Sequence, residues 1–280
     1  MWKAKRMILL VHSNKDPAGI NIARSILQQL PFAQTDQTFQ DNPVYQAKIS
    51  GKQVTFITLN EEAVNAQSLQ QDFPQAELVV FVSRHSSQSG TPTLTVHTPG
   101  NFAEAELGGL PRTLSVSPAN AMANALKTMK RLQQRNHLDY EVSYEVTHHG
   151  PSLNVPTMFV ELGSSPKQWG DTAAAVVVAQ ATIEAIAGFH DSRRPVAIGI
   201  GGTHYNQKFT QMALDDEAVF GHMIPKYALA QVDAEILRQC IEKTLEKVER
   251  VILDWKGIRG EDKPRLMAAI SETGLLIQKV

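Results

Sequence analysis

Cysteine is almost absent from this chain. Its 280 residues include one, Cys240, which excludes an internal disulfide and with it the small cross-linked scaffolds of secreted proteins. Long uncharged apolar runs are also missing. The most apolar stretch, "TAAAVVVAQATIEAIAG", is alanine-rich and carries Gln180 and Glu184. It predicts a buried helix, because a membrane span needs about 20 mostly apolar residues. The opening "MWKAKRMILLVHSNKD" has basic residues and only a short apolar run, without the longer run and small-residue cleavage site of a secretory leader. An excess of either charge is lacking too: 27 Lys and Arg stand against 28 Asp and Glu, a formal net charge of −1. A protein that coats nucleic acid with its whole surface is excluded, and any contact with a polyanion has to come from a local patch. No repeat, low-complexity tract or Pro/Gly-rich linker divides the chain. Hydrophobic residues make up 42% and charged residues 20%, enough for a full-sized core. The expectation is a single catalytic unit over residues 1–280, with room for two α/β lobes. It would be cytoplasmic, a monomer or homodimer, with no membrane partner.

What is present reads as an α/β protein with a mixed, largely parallel sheet flanked by helices, of the phosphorylase or hydrolase kind. "RMILLVH" predicts a first buried strand and "AGINIARSILQQL" its helix, with Ile22, Ile26 and Leu30 at helical spacing. "QDNPVYQAKISGKQVTFITL" reads as a polar excursion and then a strand from Val54 to Leu59. "AELVVFVSRH", "TLTVHT", "PTMFVELG" and "RPVAIGIGG" read as further strands. "SPANAMANALKTMKRLQQRN" predicts a helix with Ser117 as cap and Pro118 at its first position. "SSPKQWGDTAAAVVVAQATIEAIAG" predicts another. "VDAEILRQCIEKTLEKVERVIL" predicts one long amphipathic helix capped by Asp233, with Ile236, Cys240, Thr244 and Val248 on one stripe. "GEDKPRLMAAISETGL" is a short helix stopped by Gly274. "YEVSYEVTHHGP" alternates strictly, with Tyr140, Val142, Tyr144 and Val146 on one face and Glu141, Ser143, Glu145 and Thr147 on the other.

The histidines fall at strand ends. Strands run into Ser83-Arg84-His85, His97-Thr98, Thr147-His148-His149 and Gly201-Gly202-Thr203-His204-Tyr205, and the first ends at His12. In open parallel sheets, ligands bind beyond the carboxyl ends of the strands, so these side chains are expected to converge on one cleft, with Gly150-Pro151 turning the chain away. One strand-end histidine is ordinarily a hydrogen-bonded structural residue, and His137 and His190 sit in polar runs that read as solvent-facing. Four together, His85, His148, His149 and His204, favour chemistry, since imidazole serves as acid, base or metal ligand near neutral pH.

Familiar catalytic signatures are missing. There is no G-x-S-x-G elbow, no Walker loop, no H-E-x-x-H and no paired C-x-x-C. "GIGGTH" fails as a dinucleotide fingerprint because His204 stands where the third glycine belongs. Histidines, Glu145, Glu161 and loop glycines remain. That set suits hydrolysis by an activated water, with or without a metal, and the glycine turns could turn backbone amides toward a developing oxyanion. Lys127, Lys130, Arg131 and Arg135 share one helix face. That face is either solvated or a seat for an RNA backbone. Lys3, Lys5 and Arg6, and the pair Arg193-Arg194, form two smaller basic clusters.

"SRHSSQSGTPTLTVHTPGN", "EVTHHGP", "PTMFVELGSSPKQW", "GIGGTHYNQKFT" and "FGHMIPKYAL" follow one another in the chain. Together they resemble the D-aminoacyl-tRNA deacylases of the archaeal and plant type, over most of the chain from about residue 78 onward. The resemblance implies hydrolysis of the ester joining a D-amino acid to tRNA, a zinc cofactor, and an α/β fold related to peptidyl-tRNA hydrolases and nucleoside phosphorylases. By position it points to His85, His97, Glu145, His148, His149, Gly202, His204 and Tyr205. Many members have Gly-His-Tyr-Ala-Pro where this chain has Thr203-His204-Tyr205-Asn206-Gln207, so the His-Tyr pair survives in an altered loop.

On this reading His148, His149, His204 and Glu145 are catalytic, and His148, His149 and Glu145 are the expected zinc ligands. His85, His97, Thr147, Gly201, Gly202, Tyr205, Lys130 and Arg131 are expected to bind substrate. One of the paired histidines would activate water, Glu145 would orient that histidine, and His204 with the Gly201-Gly202 amides would hold the oxyanion. A zinc amidase or peptidase acting on small substrates, or a non-catalytic nucleotide- or RNA-binding protein, would use the same residues.

Overall fold

The computed structural model describes residues 6–190 and 194–280; Lys3, Lys5 and Arg193 lie outside them. The chain begins with strand β1 (Met7–Ser13) and helix α1 (Pro17–Gln29), which starts at Pro17 behind the capping carboxylate of Asp16. A meander follows: β2 (Ala33–Phe39), β3 (Asn42–Ile49) and β4 (Lys52–Leu59). The polar excursion of the sequence is therefore two antiparallel strands. Their turns, Gln40-Asp41 and Ser50-Gly51, have φ of 50°, 62°, 48° and 81°, the geometry of two-residue hairpins that matches strand twist. β2 lies on the sheet edge and stays exposed, so no apolar alternation marks it.

After the short helix α2 (Leu69–Asp72) come β5 (Ala76–Arg84), β6 (Thr93–His97), helix α3 (Ala119–Arg135), β7 (Glu141–Tyr144) and β8 (Thr157–Gly163). Ser117 does not cap α3. The carboxylate of Glu246 accepts the amides of Ala119 and Asn120 at 3.0 and 2.9 Å, a cap supplied from far along the chain. The alanine-rich segment is broken at Gly170 into α4 (Pro166–Trp169) and α5 (Thr172–Ala187), where Asp171 accepts the amides of Ala173 and Ala174.

The last third alternates β9 (Val196–Ile200), α6 (Gln207–Leu214), β10 (Val219–Ile224), α7 (Ala234–Glu242), β11 (Val248–Leu253), α8 (Lys263–Ser271) and β12 (Leu276–Lys279). The expected long helix thus ends nine residues in. Asp233 caps it as predicted, but "VERVIL" pairs with β9 as a strand, because β-branched residues gain more from a sheet than from further helical turns.

Two sheets result. The larger has the order β2-β3-β4-β1-β5-β8-β6-β7 and the smaller β10-β9-β11-β12. The smaller is wholly parallel. In the larger, β4, β1, β5 and β8 run parallel, while β6 is antiparallel to β8 and carries β7 parallel to itself. Leu94, Val96, Val142, Tyr144, Val160 and Leu162 point to one face of this sheet and pack under α3 and α5. On the opposite face β1, β5 and β8 bury Leu9, Val11, Phe81 and Phe159. α3 serves both sheets, with Met122 and Leu126 in the main core and Ala119 and Ala123 in the core of the smaller sheet.

Candidate active site

The polar residues collect on the face of the larger sheet away from α3 and α5. Registry places them. Ser83 on β5 pairs with Glu161 on β8, which pairs with Thr95 on β6; Phe159 pairs with His97, one step along. The alternation of β7 then puts Glu145 on the same face, its amide bonded to the Val96 carbonyl. The site lies on this face at the carboxyl ends of the parallel strands, as expected: Asp16, Glu62, His85 and Glu161, at or beyond the ends of β1, β4, β5 and β8, line one cavity with His204, which follows β9. The antiparallel course of β6 is what brings His97 beside Phe159, on which it stacks at 5.1 Å.

Glu145 is the hub. It is fully buried. Its Oε2 lies 2.7 Å from His204 Nε2 and 3.6 Å from His148 Nε2, and its Oε1 lies 3.1 Å from His85 Nδ1. Burial alone would raise its pKa. The hydrogen bonds from His204 and His85, with the latter's charge, hold it well below the usual carboxylate range. Glu161 is the second carboxylate. Ser83 Oγ donates to it at 2.7 Å, and His85 and His97 stand 3.6 and 3.8 Å away. Against the opposing effect of burial, these imidazoles lower it to about 2. His85, between the two carboxylates and bonded through Nε2 to the Tyr205 hydroxyl, is held as an imidazolium. Burial pushes its pKa down, but Glu145 and Glu161 raise it to about 11.

His97, His148 and His149 form a second group, with ring centroids 4.2 to 4.8 Å apart. Each points Nδ1 at a backbone carbonyl: His97 at Thr98 (3.3 Å), His148 at Val146 (2.8 Å) and His149 at Gly150 (2.7 Å). That leaves the three Nε2 atoms facing one another, and His97 Nε2 is buried without a hydrogen bond. Burial, reinforced by the neighbouring imidazoles, holds His148 well below the usual range and His149 at about 4. Both are neutral near pH 7, as a metal ligand must be. Imidazoles whose Nδ1–H groups donate to carbonyls present Nε2 to a metal; His97 differs from the other two in that burial pushes its pKa down but Glu161, with Glu145, raises it above the ordinary value. Ligand atoms of His97, His148 and His149 lie within 4.8 Å of one another, as do those of Glu145, His148 and His204. His148 is common to both groups: His97 stands with the paired histidines in one, and Glu145 with His148 and His204 in the other.

The paired histidines hold a strained turn. His149 has φ 43°, and Gly100 donates to the carbonyls of both His148 and His149. Gly150 is packed so closely that a Cβ there would lie 2.1 Å from Gly109 N and 2.5 Å from the Val64 carbonyl. Two cavities of about 500 Å³ open on either side of His148 and His149. One is walled by Phe102, Ala103, Leu107, Tyr227 and Ala228. The other holds Asp16, Arg84, His85, Glu161 and His204.

The other predicted residues divide. His204 and Tyr205 reach the site from the smaller sheet, locked by Val146 N–H to His204 O at 3.1 Å and by a bridge between Glu145 and Tyr205. Thr147 touches the first cavity but is mainly a latch between the sheets, with its hydroxyl bonded to His222 Nδ1 and to the Met223 amide. Gly201 and Gly202 offer no free amide. Their N–H groups bond to the carbonyls of Ile224 and Gly257, so they form no oxyanion hole. Their φ values of 106° and 76°, and the close approach of Asp254 and Asn206, are what require glycine. Lys130 and Arg131 lie on α3, across the sheet from the site, and Lys127 is paired with Asp216. His137 and His190 are exposed, as expected, and Cys240 is buried in the core.

Sequence reasoning passed over Tyr227, whose hydroxyl lies 3.1 Å from His204 Nδ1. It follows Pro225 at the carboxyl end of β10, so the strand-end rule applied to "FGHMI" would have found it.

Comparison with known proteins shows the family. The D-aminoacyl-tRNA deacylase family model matches residues 72–278. A relative in Thermococcus onnurineus, named D-aminoacyl-tRNA deacylase, is 36% identical over 275 residues, covering 96% of this chain and 98% of its own. One of the same name in Methanocaldococcus jannaschii is 35% identical over 284 residues, covering 97% and 99%. A crystal structure of a conserved protein of unknown function superposes with a TM-score of 0.86 at 30% identity, covering 98% of this chain and 95% of that one.

Proposed function

The chain belongs to the D-aminoacyl-tRNA deacylase family, and from that premise we propose that it hydrolyses the ester of D-aminoacyl-tRNA to free D-amino acid and tRNA, in the cytoplasm. The observation that carries this reading is the pair of imidazole groups at one mouth: a buried carboxylate, Glu145, gripping His204 at 2.7 Å, beside three histidines whose Nε2 atoms converge.

His204 is the general base and acid in this reading. Its Nε2–H donates to Glu145, which fixes the tautomer, and its Nδ1 carries the lone pair, to which the Tyr227 hydroxyl donates until the attacking water takes that place. Nδ1 takes a proton from the attacking water. The same proton then passes to the ribose oxygen as the ester C–O bond breaks, so no covalent enzyme intermediate is needed. His85, held as an imidazolium, keeps Glu145 ionised throughout. His97, His148 and His149 are the residues that would hold zinc. Zinc bound there would supply a water of lowered pKa and polarise the ester carbonyl.

The test is release of amino acid from matched D- and L-aminoacyl-tRNAs, with the protein as purified, after exhaustive chelation and after zinc is restored. Release from the D-form alone, lost on chelation and regained with zinc, is expected. Equal rates on both enantiomers, or cleavage of small amides in place of the ester, would favour the amidase reading. Binding without turnover would favour a non-catalytic role.

A further inference from the structure

The larger basic stripe lies across the sheet from the catalytic mouth, so the cations that hold an RNA substrate have to be sought elsewhere. The four strands of the smaller sheet are parallel, and all end on one edge, at Ile200, Ile224, Leu253 and Lys279. The segments beyond those ends are stitched to one another through the backbone. Gly202 N–H donates to the Gly257 carbonyl at 3.3 Å, Lys226 N–H to Gly202 at 3.0 Å and Trp255 N–H to Val280 at 3.2 Å. The edge is continuous with the mouth, because Tyr227, next to Lys226, bonds His204.

This edge concentrates positive charge. Lys263 Nζ and Lys279 Nζ stand 4.4 and 3.9 Å from the centre of the Trp255 ring, held by the negative face of the indole. Lys226, Lys256 and Lys279 are exposed. Among the described residues, none of Lys226, Lys256, Lys263 and Lys279 is joined to a carboxylate by an ion pair. The nearby Asp254 is occupied by Lys208 at 2.5 Å. Arg265 ties α8 to the segment after β10 by donating to the carbonyls of Leu229 and Val232. On a chain of net charge −1, four lysines without carboxylate ion pairs among the described residues, two of them over one tryptophan, on a backbone framework beside the catalytic imidazole, form a local seat for a polyanion.

We propose that the carboxyl edge of the smaller sheet, with Lys263 and Lys279 over Trp255 and Lys226 and Lys256 on the same edge, is the surface on which the phosphate backbone of the substrate's acceptor end rests. The proposal rests on the deacylase reading for the identity of the RNA. This edge adjoins the mouth at His204 through Tyr227, within reach of an occupant whose 3′ end enters there, whereas the α3 stripe lies across the sheet.

The experiment compares wild type with the triple variant Lys256→Glu, Lys263→Glu, Lys279→Glu on two substrates, D-aminoacyl-tRNA and the D-aminoacyl ester of adenosine, across a salt series. Each lost phosphate contact should lower the slope of log affinity against log salt by about 0.7 to 0.9, and three contacts should raise the tRNA KM about tenfold or more. Hydrolysis of the adenosine ester should stay at the wild-type rate. The same reversal at Lys130 and Arg131 should leave the tRNA KM and the slope unchanged. An unaltered KM and slope in the triple variant, or a loss confined to the α3 variant, overturns the proposal. So does a wild-type edge that retains anionic lipid vesicles or polyglutamate but not tRNA. If the triple variant is misfolded by circular dichroism, the three Lys→Gln changes are read in its place, with the same direction expected. A wild type that hydrolyses neither substrate refutes the deacylase reading alone, because gel-shift affinity of the variants for tRNA still decides the surface.

Discussion

Glu145 and His204 are 59 residues apart and belong to connections of different sheets, yet their side chains meet at 2.7 Å, with Glu145 fully buried. A buried carboxylate without compensation would be neutralised. Here the imidazolium of His85 supplies the opposite charge, so the carboxylate stays ionised and can orient a base.

Glu145→Gln keeps shape and removes that charge. His204 loses the partner that sets its tautomer, and His85 loses one of its two carboxylates. Deacylation should fall by about 10²-fold, and unfolding free energy by about 3–5 kcal/mol, the usual effect of breaking a buried ionic pair. Steady-state kinetics with denaturant titration reads both. Wild-type activity in the variant would remove Glu145 from the mechanism.

Tyr227→Phe keeps the ring in the cavity wall and deletes its hydrogen bond to His204 Nδ1. Burial and the charge of Glu145 raise the Tyr227 pKa to about 12, so the phenol remains a neutral donor at all working pH values. One hydrogen bond of about 0.5–1.5 kcal/mol corresponds to a kcat lower by a few-fold to about tenfold, with KM unchanged. A KM effect with kcat intact would make Tyr227 a binding residue only.

His222 gives acid sensitivity to the latch between the sheets. Its Nε2 donates to the Lys243 carbonyl and its Nδ1 accepts from Thr147, and burial lowers its pKa to about 4. The unfolded chain takes up this proton near pH 6.5 and the folded chain does not until about pH 4. Its contribution is therefore fully present above pH 6.5 and is lost as pH falls toward 4, by up to about 3 kcal/mol. His222→Asn should flatten the dependence of unfolding free energy on pH in that window by close to one proton. Superimposable slopes would contradict the assignment.

Gly150→Ala drives a Cβ into Gly109 N, Gly108 C and the Val64 carbonyl, all backbone atoms. These atoms cannot rotate aside, so overpacking should lower stability by about 3 kcal/mol and displace His148 and His149. Loss of activity together with a lower thermal midpoint is expected. An unperturbed midpoint would show that the 107–110 segment gives way.

The sequence by itself determined which side chains could share a face. Alternation in "YEVSYEVTHHGP" put Glu145 opposite Val142 and Tyr144, and those valine and tyrosine side chains are indeed core. Asp233 marked where α7 begins, and the histidines at strand ends named the chemistry. These features are legible because side-chain period and capping are local, reaching only a few residues. Only the tertiary structure decided which faces meet. The antiparallel course of β6 brings Thr95 against Glu161 and His97 against Phe159, and Glu246 caps α3 across 127 residues. Val248 became a strand residue because β9 was there to pair with it. The amides of Gly201 and Gly202 are occupied because Ile224 and Gly257 lie across from them. The basic face of α3 is remote from the site because a sheet stands between. Each outcome depends on pairing between segments far apart in the chain, where local pattern carries no register.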